Sequence, residues 1–485
     1  MRKILAYSFL AIWLLVACGT TAPPVTPTSV GASAPRGRLV VAQTVDAQSM
    51  DPYQVNQVAG ESVMKALFDH LIERDFDGNL VPGLAESWKV VDEKTIEFRL
   101  RQGVNFHNGE PFTAEAVKYS VERIQNADLK SAFRSNFKAI QEVRIVDPQT
   151  VRFILDKTDA AILDNLSAQL AIVPPKYIQA VGDAEFARKP VGSGPFKFVE
   201  WVKDDHITLE ANANYWSGSF KGKPQVQTVV FRPVPESSTR IAELRTGRAD
   251  LIQDVPPDQV KDVKDAGFGI AVKDVPQEAF IFLASDAPGT PLADKRVRQA
   301  LNYGVNVDGI IQNVLLGYAR RIASPIGPLS LGYDSGVKPY LYDLVKAKAL
   351  LAEAGYTNGF DVVIDATTSD KTLTTEAVAG ELGKLNVRAT VRRLELGIFN
   401  DNWGKKLSSP MVAARWSVIA EGAATLDQTK RAQIYAQLSK VLNEDPLAIY
   451  LWNTQNLYGV GKRVAGWRPH PRSYLVVSGV SVSEN

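Results

Sequence analysis

The sequence predicts an α/β protein with mixed sheets, and three observations lead to this class. Alternating runs typical of half-buried strands occur at residues 95–100 and 150–155. Amphipathic helical segments lie between such runs, for example at residues 60–71. The hairpin signal Asp77-Gly78-Asn79 indicates that some neighbouring strands are antiparallel. The chain has 485 residues, which is more than one core usually supports, so we expect two or three domains.

The elements follow from local patterns along the chain. Thr113 can cap a helix whose Val117, Val121 and Ile124 share one face. Near the carboxyl end, a helix at residues 431–443 places Ile434, Leu438 and Val441 on one face, which predicts that this face is buried. The remaining predicted strands lie at residues 39–42, 207–210, 226–231, 249–252 and 447–452, and the remaining helices at 160–170, 238–247, 294–301 and 342–354.

The stretch PVGSGPFKFVEW at residues 190–201 combines a glycine-rich loop with a strand-like run. A glycine-rich loop can cradle a phosphate, but such loops lead into the N-terminus of a helix, whose free N–H groups bind the anion. Here Pro195 lacks an N–H donor and a strand follows. We therefore interpret the stretch as a structural turn that returns the chain to a sheet.

The N-terminus predicts export from the cytoplasm. Arg2 and Lys3 precede an uncharged run at residues 4–16, whose 13 residues span about 20 Å as a helix, against about 30 Å of hydrocarbon. The run ends in Leu-Val-Ala-Cys, which resembles a bacterial lipobox. Residues 1–17 are therefore predicted to be a lipoprotein signal peptide, with lipid attached to Cys18. An ordinary signal peptide is the alternative, and it also implies export.

Composition restricts the partners. Residues 18–38 are rich in Thr, Ser, Pro, Ala and Gly and predict a flexible tether. The 55 basic and 53 acidic residues almost balance, so nothing indicates a nucleic-acid partner. Because Cys18 is the only cysteine, no disulfide within the chain is possible.

No catalytic or metal-binding motif is evident. The four histidines, His70, His107, His206 and His470, are scattered, and no HExxH, GxSxG or GxxxxGK[ST] pattern occurs. We expect neither metal nor cofactor and predict that the protein is not an enzyme. A pair of carboxylates of the glycosidase type stays open, because a chain of this length offers many accidental pairs.

A set of motifs in a fixed order resembles the family 5 extracellular solute-binding proteins, the peptide, nickel and opine receptors of ABC importers. Each motif is weak alone, but their order is specific. They are SMDPY at 49–53, PGLAESW at 82–88, FRLRQGVNFHNG at 98–109, FTAEAV at 112–117, PVGSGPF at 190–196, residues 209–216, VRQALNY at 297–303 and AKALLAEAGY at 347–356.

The resemblance implies a class II periplasmic-binding-protein fold with two lobes, a hinge and an extra domain inserted in lobe I. The protein would be a monomer that captures a small solute, most simply a peptide, between the lobes and delivers it to the permease of an ABC importer. The implied divisions are residues 39–68 and 189–283 for lobe I, 69–188 for the inserted domain, 284–450 for lobe II and 451–485 for a crossover back to lobe I.

The resemblance also implies where solute binds. Gln54, Asn56, Gln57 and Val58 match a ligand-contacting strand after the Asp-Pro turn, and Arg415 and Trp416 match the end of the wall strand in lobe II.

The chain departs from the family directly after Trp416. Peptide receptors usually carry an acidic residue there for the ligand amine, followed by a long segment, whereas here Ser417 follows and the next helix begins soon afterwards. Since an unpaired buried ammonium is costly, the specificity differs or a deletion shortens lobe II. A secreted hydrolase and a receptor-derived sensor or chaperone that binds protein partners are the alternative functions.

Overall fold

The computed structural model describes residues 35–286, 289–367, 372–405, 408–416 and 426–483. The predicted signal peptide, Cys18 and most of the predicted tether lie outside the described residues, as does the segment 417–425 that follows Trp416. The structure therefore does not test those predictions.

Strands account for most of the framework. In chain order they are β1 (Arg38–Gln43), β2 (Ile72–Arg74), β3 (Leu80–Pro82), β4 (Ala85–Asp92), β5 (Thr95–Leu100), β6 (Ile140–Asp147), β7 (Thr150–Leu155), β8 (Phe196–Val202), β9 (His206–Ala211), β10 (Thr228–Pro233), β11 (Leu251–Ile252), β12 (Gly269–Leu283), β13 (Ala319–Arg321), β14 (Asp361–Thr367), β15 (Arg388–Leu394), β16 (Met411–Trp416), β17 (Ala448–Val460), β18 (Val464–Ala465) and β19 (Ser481–Val482).

Helices alternate with these strands. They are α1 (Val58–Leu67), α2 (Ala114–Gln125), α3 (Ile162–Ala168), α4 (Pro175–Val181), α5 (Asp183–Phe186), α6 (Ser237–Arg245), α7 (Val260–Asp265), α8 (Lys295–Gly304), α9 (Val307–Asn313), α10 (Leu344–Glu353), α11 (Thr372–Gly383), α12 (Leu396–Gly404) and α13 (Gln428–Glu444), with short 3₁₀ turns at Arg134–Phe137, Pro257–Gln259 and Pro291–Ala293.

One large mixed sheet runs through the molecule, with its strands in the order β15-β14-β16-β12-β17-β11-β1-β10-β9-β8 and β13 added beside β17. Strand β1 is parallel to β10 and β11, and β14 is parallel to β15 and β16. The pairs β12–β16, β12–β17 and β8–β9 are antiparallel. The predicted α/β class with mixed sheets is confirmed.

The long strands β12 and β17 join two lobes. We call the part that contains β1 and β8–β11 lobe I, and the part that contains β13–β16 lobe II. Lobe I shares one large apolar cluster with the inserted domain, around Leu39 and Phe231, and lobe II has another around Ile281 and Leu301. The β12–β17 register shifts between Asp274 and Glu278, where the chain passes between the lobes. A β-bulge bends a strand locally, which suits a hinge.

The inserted domain has a sheet of its own. Its antiparallel strands lie in the order β4-β5-β7-β6, and α2 packs on them. The Thr113 hydroxyl accepts a hydrogen bond from the N–H of Ala116, and Val117, Val121 and Ile124 are buried. The predicted cap and buried face of this helix are confirmed, because both depend only on local spacing.

The loop before β8 packs tightly on the end of α1. The N–H of Gly194 donates to the carbonyl of Leu67 at 2.9 Å. A Cβ atom on Gly192 would lie 2.0 Å from the same carbonyl oxygen, and one on Gly194 would lie 2.5 Å from that of Ala66. The interpretation of this loop as a structural turn followed by a strand is confirmed, since its glycines allow two backbones to touch.

Two predictions about elements are wrong. Helix α1 ends at Leu67 rather than at residue 71, because Phe68 is extended and leads the chain toward β2. On α13, Ile434, Leu438 and Val441 are exposed by 47%, 41% and 60%, while the opposite face is buried. The strand predicted at residues 447–452 is confirmed, and it forms the first half of the longer β17.

Candidate functional site

The Asp-Pro turn before the predicted ligand segment is held by the inserted domain. Asp51 is fully buried, and its Oδ1 accepts from the N–H of Tyr53 at 3.0 Å. Both oxygens of Asp51 also accept from the guanidinium of Arg123 on α2, in a bidentate ion pair. The Tyr53 hydroxyl donates to the carbonyl of Ala171 at 2.6 Å. These contacts give the following residues a rigid base.

The predicted segment itself is irregular and not a strand. Residues 54–57 have no regular structure, and Val58 is the first residue of α1. This corrects the expectation of a ligand-contacting strand. The Gln54 side chain is held at both ends, since its Oε1 accepts from Ser49 and its Nε2 donates to the carbonyl of Leu129. Asn56 and Val58 are exposed and Gln57 is half-buried, so these three can meet a solute.

The opposite predicted wall is the end of β16. Arg415 pairs with Ala279 of β12, and Trp416 pairs with Glu278. Glu278 in turn pairs with Asn453 of β17, at the register shift where the lobes join. The end of β16 is thus placed at the hinge.

Glu278 is a residue that sequence reasoning missed. Its side chain is fully buried, and its Oε1 accepts from the Nδ2 of Asn453 at 3.4 Å. In the register of β12 and β16, Glu278 lies directly opposite Trp416. The available signal was a single acidic residue before the apolar run Ala-Phe-Ile-Phe-Leu.

A small cavity of about 20 Å³ lies beside the Asp-Pro turn. Such a volume holds one water-sized group, which is too little for a peptide. It is lined by Pro52, Val55, Glu61, Met64, Lys65, His70, Phe133, Ala168, Gln169 and Ala171. The cavity, at the junction with the inserted domain, is therefore not a peptide site.

A buried charged cluster borders this cavity. The Nζ of Lys65 lies 3.1 Å from Glu73 and donates to the carbonyl of Ser167 at 2.9 Å. The Nζ of Lys221 lies 2.7 Å from Asp69 and 3.1 Å from Glu73. Burial lowers the pKa of Lys65 to about 8 and that of His70 to about 4. The cluster joins lobe I to the inserted domain.

The pKa of Glu73 reflects two opposing effects. Burial alone would raise its pKa, but the neighbouring Lys221 and Lys65 hold it well below its usual range. The carboxylate therefore stays ionised within the cluster. Every charged member has a partner at hydrogen-bond distance, so the arrangement indicates structural support.

The described residues contain no group of three or more His, Cys, Asp or Glu side chains that could hold a metal ion. None of their helices is both long enough and apolar enough to cross a membrane.

Comparison with known proteins decides the family. Residues 79–426, more than two thirds of the chain, match the family model described as "Bacterial extracellular solute-binding proteins, family 5 Middle". The chain belongs to this family. It is an extracytoplasmic solute-binding protein. The resemblance found in the sequence motifs is confirmed.

Among family 5 relatives, the glutathione-binding protein GsiB of Pectobacterium atrosepticum is 32% identical over 391 residues, which cover 79% of this chain and 74% of that protein. The glutathione-binding protein GsiB of Escherichia coli K12 is 29% identical, with 74% and 70% of the two chains covered. Both alignments cover most of this chain.

Solved structures of family 5 proteins share the architecture. The periplasmic binding protein DppA of Helicobacter pylori, solved with the peptide STSA, has a TM-score of 0.77 and 26% identity, covering 92% of this chain and 98% of that chain. CtaP of Listeria monocytogenes, at 21% identity, has a TM-score of 0.82 over 93% and 100% of the two chains and supports the fold alone. The predicted two-lobed fold with an inserted domain is confirmed.

Proposed function

We propose that this protein is the receptor subunit of an ABC importer that binds a peptide-like solute between its two lobes. The observation that carries the proposal is the pair of long strands, β12 and β17, that run from the apolar cluster of one lobe to that of the other. Closure about such a connection traps a solute and presents a closed face to a permease. The family 5 match supports this role over that of an enzyme.

The peptide-like class follows from relatives and from one local feature. The relatives include glutathione-binding proteins and a receptor solved with a peptide. Ser417 replaces the acidic residue expected after Trp416, but the buried carboxylate of Glu278 lies beside Trp416 in the strand register. We assign Glu278 the role of anchoring the ligand amine, with Arg415, Trp416, Gln54, Asn56, Gln57 and Val58 as the surrounding walls.

A thermal-shift screen tests the function. A solute that binds only the folded state stabilises it by RT ln(1 + [L]/Kd), about 2.7 kcal/mol at one hundred times Kd. Glutathione and di- to pentapeptides should raise the melting temperature, and opines and a nickel–histidine complex provide comparison classes. If none of these does so while a membrane protein co-purifies, the sensor alternative replaces the proposal.

The role of Glu278 has a sharper test. For a peptide that stabilises the wild type, an N-acetylated copy lacks the charged amine. Wild-type protein should prefer the free amine, and Glu278→Gln should lose most of that preference while still binding the acetylated peptide. If both proteins prefer the free amine equally, Glu278 does not bind the ligand amine. The proposed receptor role is unaffected by that result.

Membrane attachment and assembly state are further parts of the proposal. The lipobox-like Leu-Val-Ala-Cys and the tether at residues 18–38 support a lipid anchor at Cys18 that keeps the receptor near its permease. A fatty-acid analogue should label the wild type and not Cys18→Ser, and equal labelling would reject the anchor. We propose a monomer, which light scattering at several concentrations checks.

A further inference from the structure

The start of α13 connects lobe II directly to the inserted domain. The Nη1 of Arg431, in the first turn of α13, donates to the carbonyl of Ala160 at 2.5 Å. Arg431 is only 7% exposed, so its guanidinium is largely removed from water where the two parts meet. A hydrogen bond from a charged donor in such a place is stronger than a neutral one.

Two apolar contacts accompany this hydrogen bond. Leu426, just before α13, is 9% exposed and belongs to the apolar cluster shared by lobe I and the inserted domain. Tyr435, one turn beyond Arg431, packs in a small cluster with Ile326 of lobe II and Ala160 of the inserted domain. The side chains that face the inserted domain therefore lie on one side of α13.

A backbone contact marks the edge of the same interface. The N–H of Leu426 donates to Oε2 of Glu93 at 3.4 Å, and Glu93 lies in the exposed turn between β4 and β5. The inserted domain thus meets lobe II through two separate loops, one at Glu93 and the other at Ala160.

We infer that Leu426, Arg431 and Tyr435 form an interlobe latch that holds lobe II closed on the inserted domain without solute. All contacts of the latch join residues of the same chain, so the latch needs neither solute nor a partner protein. The strands β12 and β17 supply a hinge, and the latch supplies a closing force on the side where the inserted domain projects. The latch therefore raises the closed population of the ligand-free protein, and solute enters through the unlatched population.

Distance measurements between spin labels test the latch in ligand-free protein. Cysteines at Asp147, in the inserted domain, and at Lys348, on α10 of lobe II, are exposed positions for labels, in a Cys18→Ser background. The wild-type protein should show a short distance from its latched population beside a longer one. Arg431→Leu cannot donate to Ala160 and should raise the ratio of long to short distances about tenfold, the scale of one charged hydrogen bond.

Leu426→Ser is the second variant, because it removes the apolar contact and leaves α13 intact. It should also favour the long distance, so the test remains decisive if Arg431→Leu fails to fold. Lys440→Ala is the matched control on the same helix, since Lys440 is exposed and its ion pair is with Asp334 of lobe II. Unchanged distances in folded Leu426→Ser, or an equal change in Lys440→Ala, would overturn the latch. Because no solute is added, this result is independent of the proposed transport role.

Discussion

His107 of the inserted domain and Gly192 of the loop before β8 are joined by paired hydrogen bonds. The N–H of Gly192 donates to Nδ1 of His107 at 3.2 Å, and the N–H of His107 donates to the carbonyl of Gly192 at 2.8 Å. Nε2 of His107 lies 3.0 Å from the carbonyl of Gly194. Since Nδ1 accepts, Nε2 carries the proton and the ring is neutral. Burial accordingly lowers the pKa of His107 to about 4.

This arrangement predicts loss of stability in mild acid. The unfolded chain binds a proton at His107 near pH 6.5, whereas the folded chain does so only near pH 4. The stabilisation is complete above pH 6.5 and is lost as the pH falls toward 4, at up to about 1.4 kcal/mol per pH unit for one histidine. His70 and His470, whose pKa values burial lowers to about 4 and about 3, act in the same direction.

Urea unfolding at pH 7, 5.5 and 4.5 measures this effect. His107→Gln retains a donor and an acceptor but does not titrate, so its stability should fall less steeply with acid. The control is His206→Gln, because its partners Asp205 and Glu200 raise the pKa of His206, and its removal should not flatten the curve. If unfolding free energy falls equally steeply with acid in His107→Gln and in the wild type, titration of His107 does not contribute to the acid sensitivity.

A methyl group at Gly192 should strongly destabilise the protein. The added Cβ would lie 2.0 Å from the carbonyl oxygen of Leu67, which is backbone and cannot move aside. Gly192→Ala should cost about 3 kcal/mol in unfolding free energy, as overpacking does. Gly380 on α11 has no atom within 4 Å of the corresponding position, so Gly380→Ala should be neutral or stabilising by up to about 1 kcal/mol. Equal stability of the two variants would contradict this packing.

The ion pair between Asp51 and Arg123 should be essential for the turn before Gln54. Their side chains are 0% and 4% exposed, so Arg123→Met leaves a buried carboxylate without its partner. The expected loss is about 3–5 kcal/mol in unfolding free energy. Arg144→Met breaks an exposed pair with Glu142, which solvent screens, and should leave the unfolding free energy nearly unchanged. Denaturant titration measures the unfolding free energy of both variants. If Arg123→Met loses no more stability than Arg144→Met, the pair of Asp51 and Arg123 is dispensable.

The two faces of α13 should respond differently to substitution. Leu438 is exposed, so Leu438→Lys should change the unfolding free energy by less than about 0.5 kcal/mol. Tyr435 is 6% exposed, so Tyr435→Ala should cost about 3 kcal/mol. Thermal melts of the two variants provide the comparison. A large loss of unfolding free energy for Leu438→Lys would show that the apolar face of α13 is buried.

Helix α2 shows how much of the fold local sequence predicts. Its cap at Thr113 and its buried face depend on spacing within one segment, and both are found in the structure. Helix α13 has an equally regular apolar spacing, yet the face with Arg431 and Tyr435 is the buried one. Which face is covered depends on distant residues such as Ala160 and Ile326, and periodicity does not contain that information.

The candidate site, too, could be predicted only in part from the sequence. The motifs placed Gln54 and Trp416 in the predicted walls, but neighbouring β12 was missed because its alternating pattern is interrupted where the register shifts. Glu278 lies at that interruption. Its relation to Trp416 exists only when β12 and β16 pair, although the two residues are far apart along the chain.

By itself, the sequence determined the α/β class and, through the order of its motifs, the family, because these are properties of local composition and spacing. Only the tertiary structure decided which faces are buried, that Gly192 and Gly194 press on α1, and that Arg431 reaches Ala160. Those relations join residues far apart in the chain, and their energies arise from desolvation and close contact, which exist only after the chain has folded.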